Sequence, residues 1–219
     1  MVSESDCFIV YGSPGSGSVP VEAALTLIGL PYRVIGEDVV RDVARPMAPD
    51  VNPLGQVPAM VLPSGEIMTE SAAILIYLAD QYPHARLAPP PDDSRRPAFL
   101  RWMAYVSAAI YGLAWVRCDP MRLVSDQGQA AIILDRIAER RAECWRLMDQ
   151  QIEPGRFLLG DDLGVLDLYV ATISRWSPRR KRFYREAPKM AAAVRRTDDD
   201  PRLLETWRDR FPFSEGWEG

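Results

Sequence analysis

NPLGQVPAMVLPSGEIMTES, residues 52–71, joins a strand start, a hairpin and a helix start in one stretch. Ala59-Met60-Val61-Leu62 is an apolar run of strand length. Pro63-Ser64-Gly65 is turn chemistry, and Ile67-Met68 forms the returning strand. From Thr69-Glu70-Ser71 onward the pattern is helical, with Ala72, Ile74, Leu75, Leu78 and Ala79 at spacings of three and four. Pro58 stands where a strand begins and has no N–H for a ladder, which confines it to an edge, a first position or a turn. A trans Pro58 is a turn residue. A cis Val57–Pro58 bond, the only kind of peptide bond for which cis is cheap, turns the Val57 N–H and C=O sideways as an edge for a peptide-like ligand. Glu70 and Ser71 open a helix, where free N–H groups and the helix dipole favour an anion.

The residues Asn52-Pro53-Leu54-Gly55-Gln56-Val57-Pro58-Ala59, followed by Thr69-Glu70-Ser71-Ala72-Ala73-Ile74 and Tyr77-Leu78, resemble the glutathione-binding half of the cytosolic glutathione S-transferases. The resemblance implies a cis Pro58, Val57 pairing with the cysteinyl backbone of glutathione, and Glu70 and Ser71 holding its γ-glutamyl end. Gln56 is placed near the glycyl end, or is a polar turn residue.

Upstream, Cys7 to Tyr11 is a buried-strand signal and Gly12 to Ser18 a loop of small residues. Val21, Ala24, Leu25 and Ile28 form a helical stripe that Gly29 and Pro31 stop. Tyr32 to Ile35 is a second strand, so the chain begins with a parallel βαβ unit. Gly36 to Asp50 is polar, with a weak helix over Asp38–Ala44. A βαβ unit followed by the ββα stretch is the thioredoxin-like arrangement. HARLAPPPDD, residues 84–93, cannot continue a helix. The expected division is therefore an α/β thioredoxin-like domain over 1–83, a linker over 84–93 and an all-α bundle over 94–219.

In the second part Phe99, Trp102, Met103, Val106, Ile110 and Leu113 form one stripe, and Ile132, Ile133, Ile137, Cys144, Leu147, Met148 and Ile152 another. Leu166 to Trp176 is apolar nearly all round, as a central buried helix is. Pro188 and Pro201 suit the first turns of two last helices. FLLGDDLGVLD, residues 157–167, resembles the segment leading into the core helix of the family's second domain. Gly164 stands where the family has a Ser or Thr cap, with Asp167 retained.

The 219-residue chain is 47% hydrophobic with a net charge of −4, which argues against a general binder of nucleic acid or anionic membranes. No uninterrupted apolar run approaches transmembrane length, and the acidic start MVSESD lacks the features of a signal peptide. A cytoplasmic protein is expected. Three distant cysteines (Cys7, Cys118, Cys144) and the single His84 support neither a metal site nor a disulfide framework. The cysteines read as buried thiols.

Glutathione chemistry needs a thiolate, and a free thiol with a pKa of about 8.5 is mostly protonated at neutral pH. A hydroxyl at the N-terminus of the first helix lowers that value. Ser16, then Ser18, then Tyr11 are the candidates, with loop and capping roles as the plainer reading of the serines. By resemblance, the cysteine of the bacterial beta class maps onto Gly17 and the second serine of a zeta-like loop onto Ser16. A disulfide-exchange reductase is therefore disfavoured. Tyr105, Tyr111 and Trp115 either line an apolar acceptor pocket or pack between domains or subunits. The basic run SPRRKRFYR, residues 177–185, reads as a solvated face, with attraction of an anionic substrate as the second reading.

The resemblance implies a homodimeric glutathione transferase that adds the thiolate of its cosubstrate, reduced glutathione, to a small apolar electrophile, without a metal. The alternatives are a non-catalytic glutathione-binding or regulatory protein of the same fold, and a glutathione-dependent isomerase or ether-cleaving enzyme.

Overall fold

The structure, a computed structural model, describes residues 7–36, 50–176 and 178–219. The weak helix expected over 38–44 lies outside the described residues.

The strands β1 (Phe8–Tyr11), β2 (Tyr32–Ile35), β3 (Ala59–Val61) and β4 (Ile67–Thr69) form one sheet in the order β2-β1-β3-β4. β1 and β2 run parallel, with Phe8 beside Tyr32; β3 is antiparallel to both β1 and β4, with Val10 opposite Met60 and Met60 opposite Met68. Between β1 and β2 lies α1 (Val19–Ile28), which ends where Gly29 adopts φ 82° and its N–H reaches the carbonyls of Leu25 and Thr26. The β3–β4 turn closes through Gly65 N–H on Leu62 O at 2.8 Å, and α2 (Ser71–Gln81) follows. This is the expected thioredoxin-like arrangement.

The helical part comprises α3 (Arg96–Tyr105), a π-helical turn over Val106–Tyr111, α4 (Ala114–Cys118), a 3-10 turn over Pro120–Arg122, α5 (Gln127–Gln151), α6 (Val165–Ile173), α7 (Arg180–Glu186), α8 (Pro188–Asp198) and α9 (Leu204–Arg210). All nine residues of α6 are buried, as its all-round apolarity predicts. It packs on α1 and α2 on one side and on α3 and α8 on the other, so one core runs through both parts. The helical run Arg96–Cys118 is long and apolar enough to cross a membrane by length and composition, although the sequence shows no uninterrupted apolar run of that length. It turns Phe99, Trp102, Met103, Val106 and Ile110 into the core.

The entry to α6 explains the missing cap. A Cβ on Gly164 would lie 2.9 Å from the Leu87 carbonyl oxygen, which accepts a hydrogen bond from Val165 N–H at 2.8 Å. Only glycine lets the two backbones approach this closely. Asp167 keeps the other arm of the cap. Its carboxylate accepts from Gly164 N–H at 3.0 Å and from Leu158 N–H at 2.8 Å, and burial pushes its pKa up to about 7.

Several local expectations change. Cys144 is buried, Cys7 is half-buried and Cys118 is exposed, because α4 ends at the surface. Ile132 and Leu147 of α5 are exposed; the buried face of the helix runs instead through Ala130, Ile137, Arg141, Cys144, Trp145 and Met148. Pro201 lies in a turn ahead of α9, whereas Pro188 opens α8 as expected. The basic run is not simply solvated. Arg180 is fully buried and forms a bidentate pair with Asp198 under the Ala171 carbonyl.

Candidate functional site

A cleft of about 610 Å³ opens between the sheet part and the helical part. One side is mostly backbone: the loop 13–17, the turn Asn52–Pro58, and Glu70-Ser71 at the head of α2. The other side is mostly side chains: Ser107, Tyr111, Trp115, Arg117, Arg122 and Arg141, with Trp176.

The turn before β3 is held by Asn52, whose amide donates to Gln56 O at 2.8 Å and accepts from Leu54 N–H at 3.1 Å. It presents Val57, and the Val57–Pro58 bond is cis. Val57 N–H forms no hydrogen bond with the described residues. Val57 O accepts from the Tyr111 hydroxyl at 3.1 Å. Gln56 is exposed and Pro58 buried, both on the cleft.

Glu70 is exposed at the N-cap of α2 with φ 65°. A positive φ at a residue other than glycine is uncommon and gathers at ligand sites. Ser71 is buried beside it and donates its hydroxyl to Tyr169 Oη on α6 at 3.0 Å. Burial raises the Tyr169 pKa to about 12, against hydrogen bonds from Ser71 and Ser107 that lower it.

The loop 13–18 is tied down from behind. Ser18 Oγ donates to Glu22 Oε1 at 2.7 Å instead of capping α1. Since that proton goes to a carboxylate, Ser16 donates to Ser18 across their 3.0 Å contact. Ser16 Oγ also accepts from the N–H groups of Ser13 and Ser18. Glu22, with no exposed surface, pairs with Arg210 at 2.6 Å. Gly15 N–H donates to Arg210 O at 2.7 Å and Gly15 O accepts from Trp176 Nε1 at 2.8 Å.

Of the candidate hydroxyls, Ser16 borders the cleft, whereas Ser18 and Tyr11 are not among its lining residues. Ser18 is buried and Tyr11 ends β1. Tyr111 and Trp115 line the cleft, but Tyr105 does not; its hydroxyl donates to Cys144 O at 3.0 Å.

Tyr111 also stands against the loop, at Gly17. A Cβ built on Gly17 would fall 2.0 Å from the Tyr111 hydroxyl oxygen. The phenol therefore fills the space that any side chain at 17 would occupy. Its ring meets Tyr169 and Trp176 edge-on, with centroids 6.1 and 5.0 Å away, and burial raises its pKa well above the ordinary value.

The residues that sequence reading missed are Asn52 as a turn anchor, Trp176, Glu22, Arg210 and the arginines of the helical wall. Asn52 was legible in the quoted stretch. No local pattern announces the others, whose partners lie far along the chain.

Comparison with known proteins accords with this geometry. Residues 18–81 match the family model described as the glutathione S-transferase N-terminal domain. The chain is 31% identical over 199 residues to the "uncharacterized GST-like protein YncG" of Escherichia coli strain K12, covering 90% of this chain and 95% of that one. A glutathione transferase homolog from Sulfitobacter with bound glutathione superposes with a TM-score of 0.81 at 23% identity, over 93% of this chain and 98% of that chain. A sphingomonad glutathione S-transferase complexed with glutathione gives 0.73 at 26% identity, over 92% and 98%. With a sheet, a cleft and a full-length relative of this kind, the chain belongs to the glutathione S-transferase family.

Proposed function

We propose that this protein is a glutathione transferase that binds reduced glutathione in the cleft and adds its thiolate to an electrophile held against the helical wall. The observation that carries this reading is the Val57 edge, its N–H open to the cleft, set beside the α2 head where Glu70 takes φ 65°. The edge suits the cysteinyl backbone and the α2 head a carboxylate. Similar structures that hold glutathione support the same occupant here.

In this pose the sulfur lies over the loop 13–17 ahead of α1, between Ser16 and Tyr111. The Ser16 proton is tied into the chain that ends on Glu22. The Tyr111 proton rests on the Val57 carbonyl, a neutral acceptor from which rotation about the C–O bond releases it. We therefore assign the sulfur-facing hydrogen bond to Tyr111, with Ser16 second. Lowering a thiol pKa by about two units takes about 2.7 kcal/mol, within reach of a desolvated donor and a helix dipole. The thiolate attacks the electrophilic carbon and a C–S bond forms. The leaving group then departs with its electron pair, or an attacked double bond takes up the proton the thiol lost.

The division at 84–93, a homodimer, a cytoplasmic location and metal-free chemistry complete the proposal. The thiolate absorbance of the glutathione complex tests it. A thiolate band at neutral pH together with conjugation of 1-chloro-2,4-dinitrobenzene is expected. Binding without either supports the alternative of a non-catalytic glutathione-binding protein, which the internally bonded loop serines favour. No binding overturns both readings.

A further inference from the structure

The helical wall of the cleft carries Arg117 on α4, Arg122 on the 3-10 turn and Arg141 on α5. Against these three cations the cleft lining has a single carboxylate, Glu70, which belongs to the opposite side. The chain as a whole is acidic, at −4, so composition does not account for this clustering.

Two of the three are held in place. Arg141 is 1% exposed; its Nε donates to Ile110 O at 3.0 Å and its guanidinium lies 5.7 Å from the centre of the Trp176 ring. Arg122 donates to Trp115 O at 2.6 Å, stacks 5.0 Å over the Trp115 ring and is ion-paired with Asp119, outside the cleft lining, at 3.6 Å. Arg117 is exposed and forms no ion pair among the described residues. Burial, followed by the nearby Arg117 charge, lowers the Arg141 pKa to about 10, which leaves Arg141 cationic at neutral pH and repelled by Arg117. Like charges at the mouth of a partly desolvated cleft concentrate anions there. Planar guanidinium groups match a carboxylate with paired hydrogen bonds. Trp115, 45% exposed on the same wall, offers a flat apolar surface beside them.

We infer that the second substrate is a carboxylate-bearing electrophile, its anion seated among Arg117, Arg122 and Arg141 and its apolar body on Trp115. This rests on the transferase reading above and replaces the purely apolar acceptor expected from sequence. Glutathione also carries carboxylates, so the test is made with the glutathione side already filled.

The protein is saturated with S-methylglutathione and titrated in a calorimeter with 4-nitrobenzoate or its neutral isostere 4-nitrobenzamide. The acid is expected to bind about tenfold tighter than the amide. That preference should shrink to within about twofold in an Arg117→Gln/Arg122→Gln variant and fade as salt is raised. Equal affinities, a preference unchanged in the variant, or no saturable binding of the acid up to about 10 mM overturns the inference. Turnover separates it from the reading it rests on. If 4-chloro-3-nitrobenzoate is preferred over 1-chloro-2,4-dinitrobenzene, both stand. If the two electrophiles react equally and the acid shows no binding preference, the anion seat falls and the transferase stands. If the acid binds preferentially but neither is conjugated, the seat stands and the transferase falls.

Discussion

The two walls of the cleft are built by different means. The sheet-side wall offers mainly backbone: the Val57 edge, the loop 13–17 and the head of α2. Its geometry is held by mutually bonded groups, the Arg210–Glu22–Ser18–Ser16 chain, buried at Glu22 and Ser18, and the Trp176 and Arg210 bonds to Gly15. The helical wall offers side chains, several of them exposed, on the short α4 and the turn after it. A wall of backbone suits a ligand that does not vary. A wall of exposed side chains can change its ligand by substitution without disturbing the fold. Tyr111 bridges the two: it is carried by the helical part, yet its hydroxyl touches Val57 and Gly17.

The most severe way to break this contrast is Glu22→Ala. It removes the carboxylate under Ser18 and Arg210, and losing one partner of a buried pair costs about 3–5 kcal/mol. Urea denaturation measures the loss; a change below about 1 kcal/mol would mean the sheet-side wall does not depend on that pair. Asp167→Ala attacks the support shared by both walls, leaving Leu158 and Gly164 N–H groups without their acceptor. About 3 kcal/mol is expected by the same measurement. The Asp167 carboxyl also gives a pH signature. Its folded pKa is raised to about 7 from an ordinary value of 3.8. Between these values the folded protein keeps a proton that the unfolded chain releases. The stability of the wild type relative to Asp167→Asn should therefore fall as pH rises from about 4 towards 7, and a flat difference would refute the raised value.

Tyr111→Phe tests the bridge. It keeps the ring that packs on Gly17 and removes the proton, so kcat should fall about 100-fold with the thiolate band lost. Glutathione affinity should stay within about threefold. Ser16→Ala should cost less than tenfold, roughly; the reverse order would return the sulfur-facing role to the loop. The smallest effect is expected from Ser71→Ala. Loss of the hydroxyl that orients the α2 head towards Tyr169 should weaken glutathione about fivefold, near 1 kcal/mol, read by calorimetry.

The local elements were open to sequence reading because their causes are local. The turn at Gly65, the stop at Gly29, the all-round apolar α6 and the proline before β3 follow from φ preferences, periodicity and missing donors. The sheet-side candidates Gln56, Val57, Pro58, Glu70 and Ser71 come from one continuous stretch, and all line the cleft. The helical side was harder. Tyr105, Tyr111 and Trp115 are neighbours on one helical run, but only the last two reach the cleft, since Tyr105 turns towards Cys144. Ser16 and Ser18 look equivalent in the sequence until their contact with one another and the Ser18 bond to Glu22, itself paired with Arg210, show where their protons go.

The chain by itself determined which residues form strands, helices and turns, and where a peptide edge and an anion seat can exist, because backbone chemistry and side-chain period act over a few residues. Only the tertiary structure decided that a tyrosine from the helical part stands over Gly17, that Arg210 locks a loop near the other end of the chain, and that three arginines converge on one wall. These are contacts between residues distant in sequence. They depend on how α6 and its neighbours pack against α1, a balance of burial over the whole core that no single stretch encodes.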